Sequence, residues 1–182
     1  MKRIVLVTGG SRSGKSSHAL ELAGRYGRKA FIATAEALDR EMRARIDEHR
    51  RTRDASFHTV EEPTDLAAAL NAIPPGVEVA VIDCITVWLG NLFYHQRVKD
   101  GNAPEIEAFL TSLQAPPCDL IVVTNELGMG IIPADAETRR FRDVAGRVNQ
   151  HLARLAQEVI LTVCGIPLQI KCLKLVVNIP RR

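Results

Sequence analysis

The stretch Gly9-Gly10-Ser11-Arg12-Ser13-Gly14-Lys15-Ser16 narrows what this chain can fold into more than any other part of it. It fits G-x-x-x-x-G-K-[ST], follows the apolar run Ile4-Val5-Leu6-Val7 and precedes an amphipathic segment that begins near Ser16. The pattern calls for a strand, a glycine loop and a helix in that order. The glycines let backbone N–H groups turn inward around a triphosphate, Lys15 reaches the β/γ-phosphates, and the Ser16 hydroxyl is placed to ligate Mg²⁺. The positive end of the helix dipole behind the loop adds to the attraction. Because pattern and context agree, nucleoside triphosphate binding is favoured over a Gly/Ser-rich turn that binds nothing.

The rest of the sequence alternates between short β-branched runs and helical periods. A strand near Arg3 to Val7 and a helix from Lys15 to about Tyr26 lead to a short strand, Ala30 to Ala33. From Glu36 to about Arg51, Leu38, Met42 and Ile46 recur every four residues, and His49 falls on the same helical face. Phe57 to Val60 reads as a short extended piece; Pro63-Thr64-Asp65 opens a helix through Leu66 to Ile73, which Pro74-Pro75-Gly76 ends. Val77 to Asp83 and Asp119 to Glu126 read as strands buried on both faces. Helices are expected from about Ile85 to Phe93 and from Pro104 to Leu113. Phe141, Val144, Ala145, Val148, Leu152 and Leu155 trace a long amphipathic helix between Glu137 and Gln157. Val159 to Val163, a Gly165-Ile166-Pro167 turn, Leu168 to Ile170 and a tail from Cys172 close the chain.

This order predicts a single-domain α/β fold like that of P-loop NTPases of the RecA type. It has a doubly wound, mostly parallel sheet with helices on both faces, spanning residues 1–171, and a tail at 172–182. Ligands of such sheets sit beyond the carboxyl ends of the strands, where Ser16, Thr34, Asp83 and Glu126 would gather. At 182 residues and 46% hydrophobic content, one domain suffices. The net charge of +3 gives no general case for a nucleic-acid partner. The apolar N-terminal run is too short for a signal peptide or a membrane span, so a cytoplasmic location is expected. Cys84, Cys118, Cys164 and Cys172 lie far apart without a C-x-x-C pair and read as small core residues. The loop Gly128 to Pro133 is glycine-rich but has no lysine, so it is assigned no phosphate role.

Asp83, ending a hydrophobic strand downstream of a phosphate loop, has the placement of a carboxylate that holds Mg²⁺; the same position also suits an N-cap for the helix starting at Ile85. Glu126 suits either a water- or nucleophile-positioning role or a structural acceptor. His49 beside Arg50-Arg51-Thr52-Arg53 reads, on spacing alone, as either a nucleophile or a bystander on a solvated helix end.

Several blocks in order carry a more specific resemblance. They are the phosphate loop; Phe31-Ile32-Ala33-Thr34-Ala35; Asp39 to Ile46 with His49 and Arg53; Thr59-Val60-Glu61-Glu62-Pro63; Thr124-Asn125-Glu126-Leu127-Gly128-Met129-Gly130; and Phe141 to Gln150. Together they resemble the bifunctional adenosylcobinamide kinase / adenosylcobinamide-phosphate guanylyltransferase family of cobalamin biosynthesis, over roughly residues 3 to 171. The resemblance implies phosphorylation of the aminopropanol hydroxyl of adenosylcobinamide by ATP or GTP, then transfer of GMP from GTP to that phosphate. It implies a GMP-histidine intermediate on His49 and nucleotide contacts from the phosphate loop, Ala33, Thr34, Ala35, Arg50, Arg51, Thr52, Arg53, Glu61 and Asp83. It further implies Mg²⁺ at Ser16 and Asp83, guanine recognition by Glu61, and a homotrimer. Asp54 and Phe57 depart from the family's usual Pro and Trp, and the residues after Lys171 go beyond where relatives often stop. The other readings are a small-molecule kinase without guanylyl transfer and a nucleotide-driven switch or motor.

Overall fold

A computed structural model describes residues 2–37, 40, 43, 44, 46 and 56–172. The strands are β1 (Ile4–Gly9), β2 (Lys29–Ala33), β3 (Phe57–Glu61), β4 (Val79–Asp83), β5 (Asp119–Val123), β6 (Glu158–Val163) and β7 (Ile166–Cys172). They form one sheet in the order β3-β2-β4-β5-β1-β6-β7. All neighbours pair in parallel except β6 and β7, which form an antiparallel hairpin. The helices with described bounds are α1 (Lys15–Ala23), α2 (Leu66–Asn71), α3 (Ile85–Tyr94), α4 (Pro104–Ser112) and α5 (Ala136–Leu155). Arg40, Arg43, Ala44 and Ile46 are helical as well.

Successive strand side chains point to opposite faces, so each apolar run feeds two cores. Ile4, Leu6, Ala80, Ile82, Leu120 and Val122 pack under α2 to α5. Val5, Val7, Val79, Val81, Ile121 and Val123 pack against Ala19 and Ala23 of α1. This two-sided cover explains why these strands read as continuous hydrophobic runs instead of alternating with polar residues. Trp88 of α3 and Phe109 of α4 are fully buried and meet edge to face with centroids 5.3 Å apart. Each contributes roughly 1.5–3 kcal/mol by leaving water.

Local chemistry sets the helix ends. The Asp65 carboxylate accepts from Ala68 N–H (2.9 Å) and that of Asp135 from Thr138 N–H (2.7 Å). Pro104 opens α4, where its missing N–H has no intrahelical partner to lose. Lys171 of β7 reaches back to cap the other end of α5, donating to Ala153 O (2.7 Å) and Ala156 O (2.6 Å).

Three expectations need correcting. Gly165-Ile166-Pro167 is not a turn: Cys164 (φ 52°) and Gly165 (φ 80°) turn the chain, and Ile166 already begins β7 with Pro167 opposite Thr162. Proline is accepted there because β7 is the edge of the sheet. α1 ends at Ala23, three residues earlier than its periodicity suggested, with Gly24 as its C-cap. Of the cysteines only Cys118 is a buried core residue; Cys84 is partly buried, and Cys164 and Cys172 are exposed.

Candidate active site

The phosphate loop joins β1 to α1 and is shaped by its glycines and by the distant hairpin. Gly9 adopts φ 150°, and a Cβ there would lie 2.3 Å from Thr162 O of β6. Gly14 (φ 93°) is the N-cap of α1 and supplies no side-chain cap, nor is there an acidic residue in the first turn. The leading N–H groups of α1 are thus left for an external anion. Gly165 N–H donates to Ser13 O (3.0 Å), so the β6–β7 turn braces the loop from outside.

Lys15 is 7% exposed and its Nζ donates to Gly10 O (2.5 Å). Burial holds its pKa below the ordinary lysine value, with Cys84 and Asp83 pulling partly the other way. Asp83 therefore shares the electrostatic environment of the loop. Sheet register gives the geometry: Glu61 stands opposite Ala33, Ala33 opposite Asp83, Asp83 opposite Val123, and Val123 opposite Val7. At about 4.8 Å per strand, Asp83 stands roughly 10 Å from β1 and Glu61 roughly 19 Å. Period two puts Asp83 on the same face as Val79 and Val81, which is the α1 side.

Cys84, not Asp83, caps α3: its Sγ accepts from Val87 N–H (3.4 Å). This removes the N-cap reading of Asp83. Burial pushes the Cys84 thiol up to about 12, so it stays neutral beside the loop. Thr34 is fully buried. Its hydroxyl donates to Cys84 O (2.9 Å) and accepts from Cys84 N–H (2.8 Å), so its side chain ties β2 to β4, and its flanking neighbours Ala33 and Ala35 are the more accessible. Glu126 N–H donates to Gly9 O (3.0 Å), and the Glu126 carboxylate accepts from Gly128 N–H (2.5 Å). The strand ends thus bring together the loop, Ala33, Thr34, Asp83 and Glu126, with Glu61 at the end of the row. His49, Arg50, Arg51, Thr52 and Arg53 lie outside the described residues.

Two side chains that organise this end of the sheet escaped the sequence reading. Asn91 is buried on α3 and its Nδ2 donates to Thr34 O (2.7 Å) and Pro63 O (2.9 Å). Asn149 on α5 accepts from the Thr124 hydroxyl (2.8 Å) and donates to Asn125 O (3.0 Å), fixing the segment that leads to Glu126. A signal for Asn91 was present: it interrupts the apolar face made by Trp88, Leu89 and Leu92, a position that only a satisfied amide tolerates.

The fold resembles that of proteins of known structure. The RadB recombinase superposes with a TM-score of 0.50 at 17% identity, covering 87% of this chain and 73% of that one. An ATPase of a bacterial type III secretion system gives 0.50 at 11% identity, covering 87% and 50%. At such identities the likeness concerns the fold alone. Sequence comparison goes further: the profile described as cobinamide kinase / cobinamide phosphate guanyltransferase matches residues 5–170. The chain belongs to that family. Its cobinamide kinase / guanyltransferase relatives include the "bifunctional adenosylcobalamin biosynthesis protein CobU" of Escherichia coli, 41% identical over 180 residues, covering 92% of this chain and 99% of the relative. The CobP protein of Pseudomonas aeruginosa is 42% identical over 170 residues, covering 91% and 96%. The chain is accordingly a cobinamide kinase and cobinamide phosphate guanylyltransferase of adenosylcobalamin biosynthesis. Among the described residues no helix is long and apolar enough to cross a membrane.

Proposed function

We propose that this bifunctional cobinamide enzyme runs both reactions on one nucleotide site, with the phosphate loop common to them and His49 the nucleophile of the second. In the kinase step the aminopropanol hydroxyl of adenosylcobinamide attacks the γ-phosphorus of ATP or GTP; the new O–P bond forms as the bond to the β-phosphate oxygen breaks, the nucleoside diphosphate leaves and the hydroxyl proton is released to solvent. In the transfer step a neutral imidazole nitrogen of His49 attacks the α-phosphorus of GTP and pyrophosphate leaves. The cobinamide phosphate oxygen then displaces the imidazole, giving adenosyl-GDP-cobinamide.

The observation that carries this reading is a single buried lysine, Lys15, set in an uncapped loop-to-helix junction and electrostatically coupled to Asp83. Ser16 and Asp83 offer the hard hydroxyl and carboxylate oxygens that a magnesium ion shared with phosphates prefers, and these two residues would hold it. Such an ion would neutralise charge on the phosphates. Arg50 to Arg53, next to the nucleophile, suit the same task on the transferring group, and Glu61 suits the guanine N1–H and N2–H₂ edge. Trimeric assembly is part of the proposal. It has support in β7, the outermost strand among the described residues, where Ile166, Leu168 and Ile170 are exposed.

The test is incubation with α-labelled GTP and Mg²⁺, followed by denaturation and intact mass. A GMP-sized, acid-sensitive increment that disappears in His49→Ala is the expected result. If active protein carries no increment, the covalent mechanism is wrong.

A further inference from the structure

A groove of about 420 Å³ opens between the β5–α5 connection and α5, with Glu126, Gly128, Arg142, Gly146, Arg147 and Gln150 among its lining. Of these only Glu126 belongs to the gathering at the strand ends, and its N–H donates to Gly9 O, which sets this end of the groove next to the phosphate loop. The volume is that of a small-molecule site.

Two features mark it as built for an occupant. Gly146 lies in the middle of α5, where glycine is among the poorest helix formers. A Cβ at Gly146 would meet nothing within 4 Å, so no neighbour among the described residues requires its absence. The segment that follows the lining residue Gly128 is the second. Met129, Ile131 and Ile132 are 79%, 94% and 70% exposed on a segment that is pinned, not loose. Arg139 donates to Pro133 O (2.9 Å) and Ala134 O (2.6 Å), and Arg142 to Ile131 O (3.0 Å). Large apolar side chains held in water beside a polar groove suit an amphipathic ligand.

We propose that this groove seats the cobinamide acceptor of both reactions. A corrinoid has an apolar, methyl-bearing ring edge and a fringe of primary carboxamides. The edge lies over Gly146 and against the neighbouring Met129–Ile132 segment. The carboxamides meet Arg142, Arg147 and the Gln150 amide, which offer donors for carbonyl oxygens and an acceptor for NH₂ groups. Among the described residues, one nitrogen of Arg142 and one of Arg147 donate to loop carbonyls, and we assign the rest of each guanidinium to the ligand. The hydroxyl-bearing arm then reaches Glu126, at the phosphate-loop end. The inference rests on the nucleotide site proposed above.

The test uses the full chain, with initial rates of the kinase step measured against adenosylcobinamide and against GTP. Gly146→Leu fills the groove and is expected to raise the KM for adenosylcobinamide about tenfold or more, while the KM for GTP stays within about twofold. Its Tm is expected to be no lower than that of the parent, since a better helix former replaces glycine. Should Gly146→Leu not fold, Gly146→Ala and Gln150→Ala replace it, each with an expected rise of about threefold. An acceptor KM unchanged within about twofold in the folded variants overturns the proposal. So does a rise in the KM for GTP as large as that for the acceptor, which would give the groove to the nucleotide. Absence of the GMP adduct in the parent would sink the His49 mechanism, whereas the kinase rates would still decide whether the acceptor occupies the groove.

Discussion

Asn91 offers the sharpest test of how the strand ends are held. Its buried amide serves two backbone carbonyls, Thr34 O at the end of β2 and Pro63 O in the segment after β3. Replacement by leucine keeps a side chain of similar length but leaves both carbonyls without this donor. A buried polar group left unsatisfied costs about 1–3 kcal/mol, so Asn91→Leu should lose about 2–6 kcal/mol. For a domain of this length each kcal/mol is worth about 2–4 °C in Tm, so even the low end predicts a fall of about 4–8 °C. Urea unfolding should give the same loss with an unchanged slope. Asn71→Ala, at the exposed end of α2, is the control and should stay within about 0.5 kcal/mol. Because Thr34 O lies between Ala33 and Ala35, the KM for GTP should rise together with the instability. A leucine variant melting within about 2 °C of the parent would refute the reasoning, since it would mean that these carbonyls find other partners at no cost.

Three further outcomes follow from titration and access. Lys15 is held below 10.5, chiefly by burial. Between its folded value and 10.5 the unfolded chain therefore binds more protons, and the stability of the ligand-free protein rises with pH across that alkaline window, a rise that Lys15→Met should remove. Triphosphate favours the charged ammonium, so nucleotide binding in the same window should take up protons; calorimetry in two buffers of different ionisation enthalpy measures this, and no uptake would contradict it. For the thiols, Cys164 and Cys172 are exposed, whereas burial pushes Cys84 up to about 12 and Cys118 up to about 11. Iodoacetamide at neutral pH should label the first two in the native protein and the other two only after unfolding, as read by peptide mass.

The strands whose apolar runs are covered on both sides were readable to within about three residues, the overrun being the polar Thr124 to Glu126 after β5, because continuous β-branched runs have little alternative in a sheet of this kind. α5 was equally plain from its single apolar stripe. The phosphate loop was legible because its function is local: eight consecutive residues supply the backbone curve and the charge. What escaped was non-local. Asn91 matters only because α3 carries it to carbonyls of Thr34 and Pro63, 57 and 28 residues away in sequence. The β6–β7 turn was misplaced because Pro167, usually a strand breaker, is tolerated on an edge, and edge status is a property of the whole sheet. The groove along α5 left one trace in the sequence, Gly146 inside an otherwise good helix, and single glycines are ambiguous until their surroundings are known.

The strand order has a consequence for the life of the chain. β1 is synthesised first, yet its neighbours in the sheet are β5 and β6, more than a hundred residues later, and its loop is braced by Gly165. Val7 pairs with Val123 on one side and Ile160 on the other, so the residues that announce the nucleotide site gain one flanking strand with β5 and the second only with β6. A fragment that stops before the last hairpin therefore keeps the motif and its β5 neighbour but lacks β6 and the Gly165 brace, and is expected to bind triphosphate more weakly than the full chain.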